Sequence, residues 1–206
     1  MKKKLTTVLA IVLVVALSVA GTYAYLTAQT DNVTNTFAVA GLIDDDADFT
    51  LVESKANQQA DGKYVLNPAD KVQANEYVVV PGVDMPKDPT VNLKLKANID
   101  AYVFLAVDNN LKGMSVTIDP AWGSAITTYT DENGAAWDIY AQKVVGTTAA
   151  QDLTFNVLKG QTVTVDKAAD AYDGNILFNA YLTQATGFDT ALAAWNATFG
   201  VKAANK

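Results

Sequence analysis

The sequence AYVFLAV at residues 101–107 decides the fold, because it is apolar at every position and is followed at once by DNN at 108–110. An apolar run of this length that stops at turn-forming residues is typical of a strand covered on both faces. We therefore expect residues 101–107 to form the central strand of a β-sheet.

The segments around this strand show period-two alternation of apolar and polar residues, which predicts strands with one buried and one wet face. The clearest cases lie at residues 91–95, 114–118, 153–157, 163–165 and 176–182. Asn133-Gly134 lies between two aromatic segments and predicts a hairpin. About ten short strands separated by turn signals predict an all-β sandwich.

The region between residues 49 and 89 has a weaker pattern. Residues 49–53 predict a short strand, and the polar residues 54–75 predict a long loop with a brief strand at 64–66. Residues 76–80 are β-branched and predict another strand. Three prolines in residues 81–89 predict an extended crossing between sheets, because proline cannot donate regular ladder bonds.

The period changes near the C-terminus. Phe188, Leu192, Trp195 and Phe199 are four, three and four residues apart, which places them on one face of a helix over residues 189–199. Asp189 is placed to cap its first turn, and Gly200 to end it. We expect the four apolar side chains to pack this helix against the sandwich.

Composition excludes several classes of site. The chain has 206 residues and a formal net charge of −7, and it contains no Cys and no His. Without excess cations, nucleic acid is not an expected partner. Without imidazole or thiol, this chain cannot build the usual Ser-His-Asp, Cys-His or histidine-zinc sites. We expect no enzymatic activity, no cofactor and no metal.

The N-terminus has the layout of an export signal. Three lysines at residues 2–4 precede an apolar run over residues 5–20, and small residues follow. Cleavage after Ala20 or after Ala24 fits this layout, and the second choice makes Tyr25 the first mature residue. Retention of the segment as a membrane anchor is the alternative. We assign residues 1–24 to the signal peptide, 25–41 to an N-terminal segment and 42–206 to the sandwich domain.

Three motifs resemble the TasA/camelysin family of secreted proteins. They are the lysine-led apolar run with GTYAY at 21–25 and TNTF at 34–37, the proline-rich VPGVDMPKDP at 80–89, and AYLTQA at 180–185 with Gly187-Phe188 and Ala194-Trp195. The resemblance implies cleavage by a SipW-type signal peptidase and a β-sandwich of jelly-roll type. It also implies assembly into extracellular fibres of a biofilm matrix, with a strand of one subunit completing the sheet of the next. Camelysin is catalogued as a metallopeptidase, and the absence of histidine departs from that role.

The segment before Gly41 alternates in the same way as the body. Val33, Phe37 and Val39 fall on one face, with Thr34, Thr36 and Ala38 on the other. This pattern fits the first strand of the chain's own domain, and it equally fits a donor strand that docks on a neighbour with these three apolar residues as anchors. The sequence does not separate the two.

Two further groups have a simple and a functional interpretation. Asp44, Asp45, Asp46 and Asp48 fit a solvated turn better than a calcium loop, because the spacing lacks the Gly and distal Glu of an EF-hand. The aromatic residues fit rings packed across strands better than a sugar-stacking face. They are Trp122, Tyr129, Trp137 and Tyr140.

From these observations we expect a secreted structural subunit of the extracellular matrix or cell surface. Its partners would be further copies of itself, a signal peptidase during export and possible other matrix components. The alternative is a monomeric secreted binding module for a carbohydrate or protein ligand, in which Trp122, Trp137 and Tyr140 would line one exposed face.

Overall fold

The computed structural model describes residues 27–30, 36–37 and 41–200, the first two segments as strand backbone only. Thirteen strands and one α-helix lie in these residues. They are β1 (Thr27–Thr30), β2 (Thr36–Phe37), β3 (Phe49–Gln58), β4 (Tyr64–Val72), β5 (Met85–Pro86), β6 (Thr90–Leu95), β7 (Ala101–Asn109), β8 (Met114–Ser115), β9 (Thr127–Thr130), β10 (Ala136–Val144), β11 (Gln151–Asn156), β12 (Thr162–Val165), β13 (Ile176–Gln184) and α1 (Ala191–Thr198).

The strands form three antiparallel sheets. The largest has the order β2-β1-β13-β7-β10-β9, a four-stranded sheet has the order β11-β6-β3-β4, and a small sheet has the order β5-β12-β8. The all-β sandwich with a short C-terminal helix is thereby confirmed.

Strand β7 is the centre of the six-stranded sheet, as its apolar sequence predicts. Phe104 lies opposite Tyr181 of β13 on one side and opposite Ala141 of β10 on the other. Residues 101–108 are all buried. Because side chains alternate along a strand, β7 supplies apolar groups to both faces of its sheet.

The main core lies between the six-stranded and four-stranded sheets. It joins alternate residues of β7 and β13 to the inward face of β6 and to Phe49 of β3. Val103, Leu105, Leu93 and Leu182 are typical members, each at 2 % exposure or less. Burial of a side chain of this size contributes about 1.5–3 kcal/mol to stability.

A second core covers the opposite face of the six-stranded sheet. Tyr102, Phe104 and Ala106 of β7 contact Trp137 and Ile139 of β10, and the helix α1 closes over them. The helix begins two residues later than predicted, at Ala191, and its N-cap is Thr190 rather than Asp189: the Thr190 hydroxyl accepts from Ala193 N at 3.1 Å. The helix ends at Thr198, its C-terminal cap is Phe199, and Gly200 follows that cap.

The region between residues 49 and 80 differs from the sequence prediction. Strands β3 and β4 form a long hairpin where we expect mostly loop. Residues 76–80, which we expect to form a strand, belong to no ladder. The strand expected at residues 114–118 is reduced to β8 and a single bridge between Ile118 and Leu158.

The small sheet carries its own apolar cluster. Met85, Val163 and Val165 are buried, and Tyr77, Val79 and Met114 pack against them with three further residues. Although residues 76–80 pair with no strand, Tyr77 and Val79 face this cluster while Val78 is 65 % exposed. This cluster forms one wall of the cavity described below.

Candidate functional site

The N-terminal segment supplies one edge of the six-stranded sheet. Strand β1 runs antiparallel to β13, with Thr27 opposite Thr183 and Thr30 opposite Ala180. Strand β2 pairs with β1 as the outermost strand, with Phe37 opposite Gln29. In this single chain, residues 27–30 and 36–37 therefore contribute strands to their own sheet.

The predicted anchors and cleavage positions fall largely on undescribed residues. Phe37 is placed by its backbone in β2, whereas Val33 and Val39 lie outside the described residues. Ala20, Ala24 and Tyr25 also lie outside them, as does the whole predicted signal peptide. The assignment of these residues remains a prediction.

The opposite edge of the same sheet is a local hairpin, as the Asn-Gly signal predicts. One Asp131 oxygen accepts from the backbone N–H groups of Asn133 and Ala135, both at 2.9 Å. The other accepts from Trp137 Nε1 at 3.2 Å. These hydrogen bonds, led by that from Ala135, hold the pKa of Asp131 below its ordinary value, because they favour the ionised carboxylate.

The aromatic residues of the alternative hypothesis do not share an exposed face. Trp122 is 2 % exposed within the main core, where its Nε1 donates to the Asn156 carbonyl at 2.8 Å. Tyr140 packs against the same core, but Trp137 lies in the second core on the other face of the sheet. The three rings therefore cannot stack on one sugar.

Three of the four predicted helix contacts occur. Trp195 is 2 % exposed, and its ring centroid lies 5.3 Å from that of Phe104 and 5.2 Å from that of Phe199. Phe188 packs against the same cluster. Leu192 differs from the prediction, because it is 39 % exposed, while the small side chain of Ala194 is buried in this helix together with Trp195.

The acidic cluster near residue 45 forms a capped turn. Asp45 caps a single 3-10 turn at residues 46–48, and Asp48 Oδ2 accepts from the N–H groups of Asp44 and Asp45 at 3.2 and 3.1 Å. Lys96 Nζ lies 2.8 Å from Asp44. Among the described residues, no group of three or more acidic side chains is arranged to hold a metal ion.

A cavity of about 700 Å³ lies beside β3 and β13, and the sequence did not reveal it. Its lining comes from β3, residues 73–79, the ends of β5 and β8, and the start of β13. Leu51, Met85, Met114, Val163 and Phe178 represent its apolar wall. The cavity therefore lies where the main core meets the cluster of the small sheet.

A buried ion pair lies at this cavity. Glu53 and Lys87 both line it, and Lys87 Nζ lies 2.7 Å from Glu53 Oε2 with the two side chains 11 % and 5 % exposed. Glu53 Oε1 is buried and has no hydrogen-bond partner among the residues that the structure describes. A buried carboxylate oxygen without a hydrogen-bond partner carries a desolvation cost, and native proteins rarely leave such an atom unpaired.

The surroundings of the pair are also charged. Next along β3, Ser54 donates from N and Oγ to Asp88 at 2.8 and 2.6 Å. Burial, followed by the charges of Glu53 and Asp88, raises the pKa of Tyr77, whose hydroxyl donates to the Pro86 carbonyl at 2.7 Å. The Tyr77 phenol therefore stays neutral at physiological pH, because the neighbouring carboxylates of Glu53 and Asp88 disfavour a further negative charge.

The site was missed because its residues are 34 positions apart in sequence. One signal was available: Phe49, Leu51 and Glu53 share one face of β3, so the glutamate continues an inward-facing series.

Comparison with known proteins gives no relative for this chain. No family model, no curated protein and no solved structure matches it. No helix in the described part of the chain has the length and apolar character needed to cross a membrane.

Proposed function

We propose that the protein is a secreted structural subunit of extracellular surface or biofilm-matrix fibres. In the proposed fibre, β1 and β2 of one subunit occupy the edge of β13 in the next subunit. The export-signal layout and the resemblance to the TasA/camelysin family support this proposal.

The observation that carries it is the position of β1. It lies second from the sheet edge, with only β2 outside it in the described chain, and it pairs with β13 over residues 180–183. It also precedes Leu42, the first core residue among those whose side chains the structure describes. A copy of β1 from another subunit would make the same main-chain hydrogen bonds in the same register. Exchange of an identical element between subunits therefore costs little in enthalpy and links the copies.

The edge left behind also supports assembly. If β1 and β2 leave, β13 becomes the outer strand of the sheet along residues 180–183. An unpaired strand edge is a template for pairing with another chain. The β1 strand of a neighbouring subunit would pair with this edge, and the β13 edge of that neighbour would then be open to the next subunit. Repeated head-to-tail contacts of this kind generate filaments.

The test is a deletion of residues 25–41 that keeps the export signal. We expect a secreted, folded subunit with unchanged β-type circular dichroism and no filaments by negative-stain electron microscopy. The matched control is Asp131→Asn, which alters the opposite edge of the sheet and should still form filaments. Filaments that persist in the deletion would remove the strand-exchange proposal.

The alternative of a binding module retains one supporting observation. The aromatic face is absent among Trp122, Trp137 and Tyr140, but the cavity at Glu53 and Lys87 offers an enclosed site of a different chemistry.

A further inference from the structure

The cavity beside β3 and β13 has the dimensions of a small-molecule site. Its volume of about 700 Å³ falls within the range of about 300–1,000 Å³ in which ligand pockets usually lie. Such pockets are mainly apolar with a few polar groups that fix the ligand's orientation. This cavity likewise has mainly apolar walls and a few polar groups, among them Glu53 and Lys87.

The apolar walls come from two separate layers of the fold. Leu51 and Phe178 belong to the edge of the main core, whereas Val79, Met85 and Val163 belong to the cluster of the small sheet. An elongated apolar group between these layers would remove their facing surfaces from water, which contributes about 25 cal/mol per Å².

The polar end is defined by Glu53. Oε2 is held by Lys87, whereas Oε1 has no partner although the residue is only 4 % exposed. A ligand with an N–H donor would supply the missing hydrogen bond.

The charge of the lining selects the type of donor. Among the described lining residues, three carboxylates, those of Glu53, Glu76 and Asp173, stand against the one ammonium of Lys87. A cationic head group is attracted to this excess of negative charge, and an anionic one is repelled. A charge-assisted hydrogen bond to a carboxylate is also stronger than a neutral one.

We propose that this cavity binds an elongated apolar primary amine, with its ammonium group on Glu53 and its apolar body between the main core and the small-sheet cluster. The proposal rests on residues 51–178 alone, so its failure and the failure of strand exchange are distinguishable.

The first test compares three probes that share one chain length. Hexylamine, hexanol and hexanoate are titrated into the mature protein at pH 7, with binding followed by calorimetry and by amide chemical shifts. We expect hexylamine to bind about tenfold or more tightly than hexanol, because a hydrogen bond to a charged group contributes about 1.5–3 kcal/mol. Hexanoate should bind most weakly. Equal affinities for the three probes, or no binding of hexylamine, would overturn the proposal.

The second test removes the carboxylate without leaving a buried ammonium. In the double variant Glu53→Gln with Lys87→Met, amine binding should fall about tenfold while hexanol binding is retained. The matched control is Glu132→Gln, which removes one exposed carboxylate from the β9–β10 loop and should leave amine binding unchanged. Wild-type amine affinity in the double variant would contradict the proposal.

A milder variant protects the test against misfolding of the double variant. Glu76→Gln with Asp173→Asn removes two exposed carboxylates of the lining, so we expect a folded protein with about two- to threefold weaker amine binding, a size typical of partly exposed charge pairs. Hexanol affinity should not change. If this variant and Glu132→Gln bind the amine equally well, the charge argument fails.

Discussion

The two outer edges of the six-stranded sheet are built in opposite ways. At one edge, β9 is joined to β10 through residues 131–135, and the Asp131 carboxylate ties this loop to Trp137. At the other edge, β1 lies on β13 although Thr27 and its partner Thr183 come from opposite ends of the chain.

This difference bears on which edge could be shared in the proposed fibre. Closing a loop of a few residues is entropically cheap, which favours pairing of β9 with β10 of its own chain. The pairing of β1 with β13 closes a very long loop, so a neighbouring subunit at high local concentration would compete with it more effectively. In the proposed fibre, the sheet therefore combines a fixed edge at β9 with an exchangeable edge at β13.

The largest expected effect is on the fixed edge. Trp137→Ala removes an 8 %-exposed ring from the second core, and we expect a loss of about 3–5 kcal/mol in the free energy of unfolding, measured by urea denaturation. Leu192→Ala is the control, because that side chain is exposed and should change stability by less than about 0.5 kcal/mol. A loss below about 1 kcal/mol for Trp137→Ala would mean that this edge is not anchored in the core.

A disulfide that closes the exchangeable edge should have the next largest effect. The chain contains no cysteine, so Thr27→Cys with Thr183→Cys introduces a single possible bridge at residues that are opposite in register. Once oxidised within one chain, it should stabilise the subunit by about 2–4 kcal/mol, because it restricts the unfolded chain. It should also abolish filaments, and reduction should restore them. Filaments from fully oxidised monomers would contradict exchange.

A smaller, pH-dependent effect is expected at the hairpin loop. The pKa of Asp131 is lowered in the folded state, so its contribution to stability is complete above its ordinary pKa of 3.8 and is lost as pH falls through the lowered value. Asp131→Asn should therefore lower Tm modestly at pH 7, and the difference from wild type should shrink below about pH 4. A constant difference down to pH 2 would exclude the carboxylate as its source.

The sequence predicted those strands whose burial leaves a regular pattern of apolar and polar residues. Residues 101–107 are apolar throughout because β7 is covered on both faces, and residues 91–95 alternate because β6 is covered on one. The Asn133-Gly134 signal found the hairpin, since its geometry is set by local residues, with Gly134 at φ 84°.

Strand β4 was predicted only over residues 64–66, because the rest of it leaves no such pattern. It is the edge strand of the four-stranded sheet, it contains Pro68, and Val65 is 55 % exposed. Residues 76–80 show the converse error. Their β-branched side chains alternate correctly between cluster and solvent, but no neighbouring strand offers hydrogen bonds, and a strand requires a partner that local propensity cannot specify.

The N-terminal strand and the cavity also differ in how far the sequence predicted them. The N-terminal pattern predicted a strand and left open whether it joins its own sheet or that of a neighbour, because pairing within and between chains requires the same residues. The cavity was not predicted, because Glu53 and Lys87 meet only through the packing of β3 against the segment before β6.

If β1 passes from one subunit to the next as proposed, mixing two single-cysteine subunits will trap the exchanged strand. One subunit carries Thr27→Cys and the other Thr183→Cys, and they are assembled together under mild oxidation. We predict a disulfide-linked heterodimer on non-reducing gels, and none when Thr183→Cys is replaced by Ala149→Cys on an exposed loop. Absence of the Thr27–Thr183 crosslink in assembled filaments would contradict strand exchange.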